Sequence, residues 1–333
     1  MTWTVVRRSV VAWCALALLV AVALGVSYGS GSATALDLFS SGTRAHDIVV
    51  GYRLPRVLLA AVAGAGLAAV GAAFQSVLRN PLAEPYILGV SGGSALGATL
   101  AIATGLESAS LLGAATVPAV AFAGGLGATA VVWTLVRAGR GGGASILLAG
   151  VVVNAIAGAC ITLVEAIAEP GRVQSLLFWL MGFLEVPSWW QLAFVTVYVA
   201  VGLAILFADA ARMNVLALGD EPAESLGVDV RALERRTFFA CAAVVGAIVS
   251  VTGLIGFVGL VVPQALRRVV GPDLRRVLPA SALGGAATLV ACDLLVRVLE
   301  PYVHTALPVG ALTALAGGPL FLVLLRRRFQ TAS

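Results

Sequence analysis

Of the chain's 333 residues, 60% are hydrophobic and only 11% are charged, and the mean hydropathy is +1.02. A soluble domain carries about 25% charged residues; so little polar material cannot cover so apolar a chain, and lipid must be the solvent for much of its surface. The net charge of +5 comes from 21 Arg and no Lys, and these Arg stand at the ends of apolar runs, which marks them as topology signals and not as a nucleic-acid footprint.

Apolar runs long enough to span a bilayer, roughly 18 residues or more, occur at 9–28, 57–78, 86–105, 111–136, 145–168, 190–210, 278–298 and 308–325. No soluble domain separates them, so residues 1–333 read as a single transmembrane domain of the all-α class, a polytopic helical bundle. Arg7-Arg8, the apolar stretch after them and Ala33-Thr34-Ala35 imitate a cleavable signal. The Ser9–Tyr28 stretch exceeds the 7–15-residue core of such signals, and a retained first helix is expected.

A further apolar stretch, Thr237–Leu266, would measure about 45 Å as one helix, against a hydrocarbon core of about 30 Å. It contains Gly253, Gly256, Gly259 and Pro263. Arg231, Arg235 and Arg236 before it, and Arg267, Arg268, Arg275 and Arg276 after it, all belong on the cytoplasmic side. The stretch is therefore expected to be one full span and a shorter return, broken at the glycines. This makes about ten spans with both termini cytoplasmic. Sixteen Arg then lie inside, and five lie outside: Arg44, Arg53, Arg56, Arg172 and Arg297.

Arg53 and Arg56 flank Pro55 at the outer mouth of the second span, and Arg297 ends the ninth. Two readings are open for them, interfacial snorkelling and an acid-binding patch for an extracytoplasmic partner. Small residues such as Gly64, Gly66 and Gly71 recur within spans, as close helix packing in lipid requires. Few polar groups fall inside spans: Gln75, Asn154, Thr252 and Asp293. Asp293 stands four residues before Arg297 and can pair with it locally. No series of buried acids of the kind a proton-driven carrier uses is visible. Cys14, Cys160, Cys241 and Cys292 are far apart inside apolar runs, with neither metal-ligand nor disulfide spacing. His46 and His304 fall in predicted outer loops, which leaves no polar cluster for a membrane-embedded enzyme. The chain also lacks a phosphate-binding glycine loop, so it cannot hydrolyse ATP by itself.

Between about residues 211 and 236 the chain leaves the membrane on the cytoplasmic side. Gly219 and Asp220 suit a stop and a cap, Pro222 and the acids Glu221 and Glu224 suit a first helical turn, and Gly227 suits a helix end. A helix of one or two turns, of a shape a soluble motor protein could grip, is predicted there.

Taken in order, several segments resemble the permease subunits of binding-protein-dependent ABC importers for ferric siderophores, haem and cobalamin. They are Arg53-Leu54-Pro55-Arg56, Gln75–Pro85, Leu88–Gly93, Leu148–Val151, Trp179–Gly182, Leu216–Val228, Gly253–Pro263, Gly271-Pro272-Asp273 and Leu307–Gly310. The resemblance runs from about Gly51 to Arg328. It implies a permease in the plasma membrane, working with a second copy of itself, two ATPase subunits that bind ATP and Mg, and an extracytoplasmic substrate-binding protein. It implies that Arg53, Arg56 and Arg297 dock that protein, and that Leu218, Gly219, Glu221, Ala223 and Gly227 belong to the segment the ATPase grips. Candidate path or gate residues are Ser91, Ser94, Ser145 and Asn154, and the glycine-rich segments Gly89–Gly97 and Arg140–Gly143 are candidate hinges. Two positions depart from the family pattern: Gln264 where His usually follows Pro263, and Ala306 where Glu usually precedes Leu307. The rival reading is an ion-coupled secondary transporter needing no soluble partner.

Overall fold

The computed structural model describes residues 2–29, 34–40, 42–106, 113–138 and 143–332; among these it is helical, with no strand. The helices are α1 (Thr2–Ser27), α2 (Arg44–Ile48), α3 (Leu54–Val77), α4 (Val90–Ala103), α5 (Thr116–Ala138), α6 (Gly143–Ile167), α7 (Pro170–Met181), α8 (Trp189–Leu216), α9 (Asp220–Ser225), α10 (Val230–Thr252), α11 (Val258–Val270), α12 (Leu274–Val303) and α13 (Val309–Ala332). Seven described segments are long and apolar enough to cross a membrane; Val90–Ala103 and Val309–Val323 are shorter apolar helices. With the return helix α11 they make up about ten passes.

The centre of the bundle is α3, buried along most of its length, with α10 nearly as enclosed. α12 packs along α3, α1 covers α12, α8 and α10 pair, and α4 lies against α5 and α6. Small residues permit this closeness. A Cβ at Gly64 would overlap the Gly285 carbonyl, and one at Gly71 would overlap that of Gly259, so α3 meets α12 and α11 backbone to backbone. The outer helices are different. Trp13, Leu16 and Leu19 on α1, Leu148, Ile156 and Leu163 on α6, and Val197 and Val201 on α8 are exposed. Such rows of bare apolar side chains are a lipid-facing surface, and the helix satisfies its own backbone there.

The Thr237–Leu266 stretch divides as expected. α10 ends at Thr252, Gly253 takes φ +66°, and Phe257 takes φ +68° before α11 begins. Pro263 lies inside α11, where its missing N–H leaves the Gly259 carbonyl without its helical donor. Gln75 on α3 supplies the replacement. Its Nε2 donates to the Gly259 carbonyl at 3.5 Å and to the Leu260 carbonyl at 3.1 Å. A polar residue in the middle of an apolar helix thus repairs a break in its neighbour.

Three local features depart from the sequence-based outline. A short amphipathic helix, α7, stands between the fifth and sixth spans, outside the outlined spans. The third span starts with a 3₁₀ turn, Pro85–Leu88, and a left-handed Gly89, so its α-helix begins at Val90. A single π turn, Val49–Arg53, leads into α3. The Pro residues explain two of these starts, since Pro85 and Pro170 each stand in a first turn, where a missing N–H goes unmissed.

Gln75→Leu should lower stability by about 1–3 kcal/mol, because it leaves a buried carbonyl unsatisfied. Denaturant unfolding in detergent should show the loss, and it should shrink in a Pro263→Ala background, where Gly259 regains its helical donor.

Candidate functional site

On the outer face the three predicted docking arginines converge, but all three are already engaged inside the protein and two of them are buried. Arg53, 5% exposed, donates from Nη1 to the carbonyls of Val26 (3.1 Å) and Ser27 (2.9 Å). Arg297, 9% exposed, donates from Nη1 to the carbonyls of Gly25 (2.8 Å) and Tyr28 (3.1 Å). These carbonyls belong to the last turn of α1 and the residue after it, the end where a helix lacks intrahelical donors and favours cations. Asp293, fully buried, pairs with Arg297 at 3.0 Å as its spacing suggests, and also accepts from Arg56 Nε at 2.8 Å. Arg56, with 21% of its side chain exposed, is the most open of the three. The cluster ties α1, α3 and α12 together at one end.

At the opposite end, the cytoplasmic loop rises from a fixed base. Asp209 on α8, 3% exposed, accepts from Arg212 Nη1 (2.7 Å) and from Arg236 Nη2 on α10 (3.1 Å). Asn214 bridges to the next connection: its Nδ2 donates to Asp273 Oδ1 (2.7 Å), and its Oδ1 accepts from Leu274 N (2.9 Å). Between these anchors stands α9. Gly219 precedes it at φ +126°, Asp220 and Glu221 occupy its first turn, and Ala223 is its buried residue. Gly227 at φ +81° ends it. The amide of Val228 donates to the Ala223 carbonyl (3.0 Å), and that of Gly227 to the Glu224 carbonyl (2.9 Å), the paired bonds of a Schellman end. Leu218 (69%) and Leu226 (67%) are exposed, as is Glu221. Two bare leucines flanking this turn form a small apolar knob outside the bundle.

The four candidate path residues do not lie together on one open wall. Ser145 is exposed, Asn154 half-buried, and Ser91 and Ser94 buried. Ser94 faces α5, against Gly125. Ser91 Oγ donates to the Tyr86 carbonyl (3.0 Å). Asn154 spends both halves of its amide within the chain, donating to the Tyr86 carbonyl (2.8 Å) and accepting from Gly92 N (3.1 Å). In the Gly89–Gly97 segment, Gly92 abuts Asn154, Gly93 abuts Gly124 and Gly97 abuts Val120. Those glycines serve close packing. Arg140–Gly143 lies outside the described residues except for Gly143, where α6 begins.

The sequence reading assigned no contact to several engaged residues. Tyr86 Oη donates to the Ile255 carbonyl (2.7 Å) and accepts from Ile255 N (2.9 Å). Glu84 Oε1 accepts from Phe257 N (2.9 Å). Arg79 pairs with Asp220, and Gln264, the departure from the family pattern, donates from Nε2 to the Pro81 carbonyl. Asp209, also unassigned, carried a readable signal, an acid three residues before Arg212 at the inner end of a span.

Against known proteins, residues 15–327 match the FecCD transport family. The hemin transport system permease protein HmuU of Yersinia pestis is 40% identical over 319 residues, covering 95% of each chain. The cobalamin import system permease protein BtuC of Halobacterium salinarum is 44% identical over 285 residues, covering 85% of this chain and 74% of that one. Among solved structures, a metal-chelate type ABC transporter in an inward-facing conformation superposes with a TM-score of 0.84 at 31% identity, covering 96% of this chain and 99% of that one. The chain belongs to the FecCD transport family and is a multi-pass membrane permease.

Proposed function

We propose that the protein is the membrane subunit of an ABC importer that moves a metal chelate (a ferric siderophore, haem or cobalamin) inward across the plasma membrane. The observation that carries this reading is α9, a six-residue helix closed at its C-terminal end and held outside the bundle on anchored flanks, the form of a handle for separate ATPase subunits. HmuU and BtuC, named for hemin and cobalamin transport, support a chelate as cargo. ATP and Mg are then bound by two partner ATPases, not by this chain. A second copy of the permease completes the path, since among the described residues the central helices α3 and α10 are mostly buried against their neighbours. On the outer face an acidic binding protein docks around Arg56, with Arg53 and Arg297 behind it.

The ion-coupled alternative is disfavoured by the partners of the buried acids. Among the described residues the two buried carboxylates are Asp209 and Asp293, and each is paired with two Arg. Neither is a vacant ion site.

Proteoliposomes holding this permease, its ATPase and its binding protein should take up one of hemin, cobalamin or a ferric siderophore only with ATP and binding protein together. Uptake driven by an ion gradient without ATP would sink the importer reading. Arg56→Gln should weaken docking of the binding protein, and like-charge Arg56→Glu should cost several kcal/mol. Arg53→Gln should instead lower the melting temperature more than it weakens docking, since it frees buried carbonyls of α1. Binding titrations and thermal unfolding on the same variants separate the two effects.

A further inference from the structure

The connection between α3 and α4 is joined by side chains to the cytoplasmic helix at one end and to the middle of the bundle at the other. Arg79, at φ +48°, pairs with Asp220 at the start of α9. Asn80 Oδ1 accepts from Leu82 N at 2.9 Å, closing an Asx turn. Gln264 on α11 holds the Pro81 carbonyl. Glu84 holds the amide of Phe257, and Tyr86 makes two bonds to Ile255. The Tyr86 carbonyl then receives Asn154 of α6 and Ser91 of α4. Pro81 and Pro85 fix φ at two positions and restrict the residues before them. A segment so constrained passes on a displacement instead of absorbing it.

The far end of this segment rests on a strained point. Phe257 sits at φ +68°, a conformation that costs a bulky residue free energy and persists only when its surroundings impose it. Glu84 is one such restraint, because it holds the Phe257 amide. The near end is the reverse. The Arg79 and Asp220 side chains are 40% and 58% exposed, and a pair so open adds about 0–1 kcal/mol to folding. Folding stability alone does not account for the pairing.

We infer that Arg79–Tyr86 is a transmission segment. It carries movement of α9 through the Arg79–Asp220 pair to the break between α10 and α11 and to Asn154 on α6, so that ATP use is coupled to opening of the path. This rests on the reading of α9 as the element the ATPase grips. Arg79 and Asp220 are positioning residues in it, without contact to cargo.

The test uses the whole complex in proteoliposomes, with hemin, cobalamin and a ferric siderophore offered in turn. ATP hydrolysis and uptake are measured together for Arg79→Asp, Asp220→Arg and the double reversal. Arg79→Asp should keep the ATPase bound and hydrolysing, yet cut cargo delivered per ATP by about tenfold, the size of an ordinary intersite coupling; Asp220→Arg, on the gripped helix itself, should lower delivery as well. The double reversal should restore it. Tyr86→Phe, which loses the bonds to Ile255, should uncouple in the same way. Unchanged delivery per ATP in the single reversals, or loss of ATPase binding by Arg79→Asp in place of coupling, would overturn the transmission role while leaving the importer reading intact. Wild-type uptake that needs no ATP would overturn both.

Discussion

Lipid offers a polypeptide no hydrogen bonds, so every N–H and C=O inside the bundle must find its partner in the protein. Most do so within helices. Where a helix is interrupted the duty falls on side chains, and the polar residues of this chain cluster at such places. Gln75 serves the carbonyl that Pro263 strands. Tyr86 and Glu84 serve the unwound backbone at Ile255 and Phe257. Arg53 and Arg297 serve the open end of α1. The broken helix, the re-entering loop and the anchored first span depend on this constraint.

Charge obeys a similar economy. Buried ions are tolerated when paired and hydrogen-bonded, and among the described residues both buried carboxylates hold two guanidinium partners. One pair of contacts closes the outer end of the bundle and the other the inner end. The outer cluster therefore does two jobs, joining three helices and presenting Arg56 to the surface.

The fold was largely legible in the sequence because the bilayer makes length and apolarity decisive. The runs, the inside bias of Arg and the oversized Thr237–Leu266 stretch were enough to place the spans and predict a break at the glycines of that stretch. α9 was legible too, because Pro222, Glu221 and Gly227 are residues whose backbone preferences are strong. The site was less so. Arg53 and Arg297 read as surface charges because nothing in the chain reveals that the carbonyls of residues 25–28 will end beside them, some 25 to 270 positions away. Ser91, Ser94 and Asn154 read as wall residues because small polar side chains look alike whether they meet a solute or a neighbouring helix. α7 was missed because twelve residues with mixed polarity carry neither a spanning run nor a run of turn formers.

The contacts of Gly64 with Gly285 and of Gly71 with Gly259 place main chain against main chain, with no flexible side chain between. Interlocked surfaces of this kind resist sliding, since a shift of a fraction of a residue drives a carbonyl into the opposing helix. α3, α11 and α12 are therefore bound to turn as one rigid block. Any alternation of access is left to the helices outside that block, in the manner of a door that moves on its frame and does not bend.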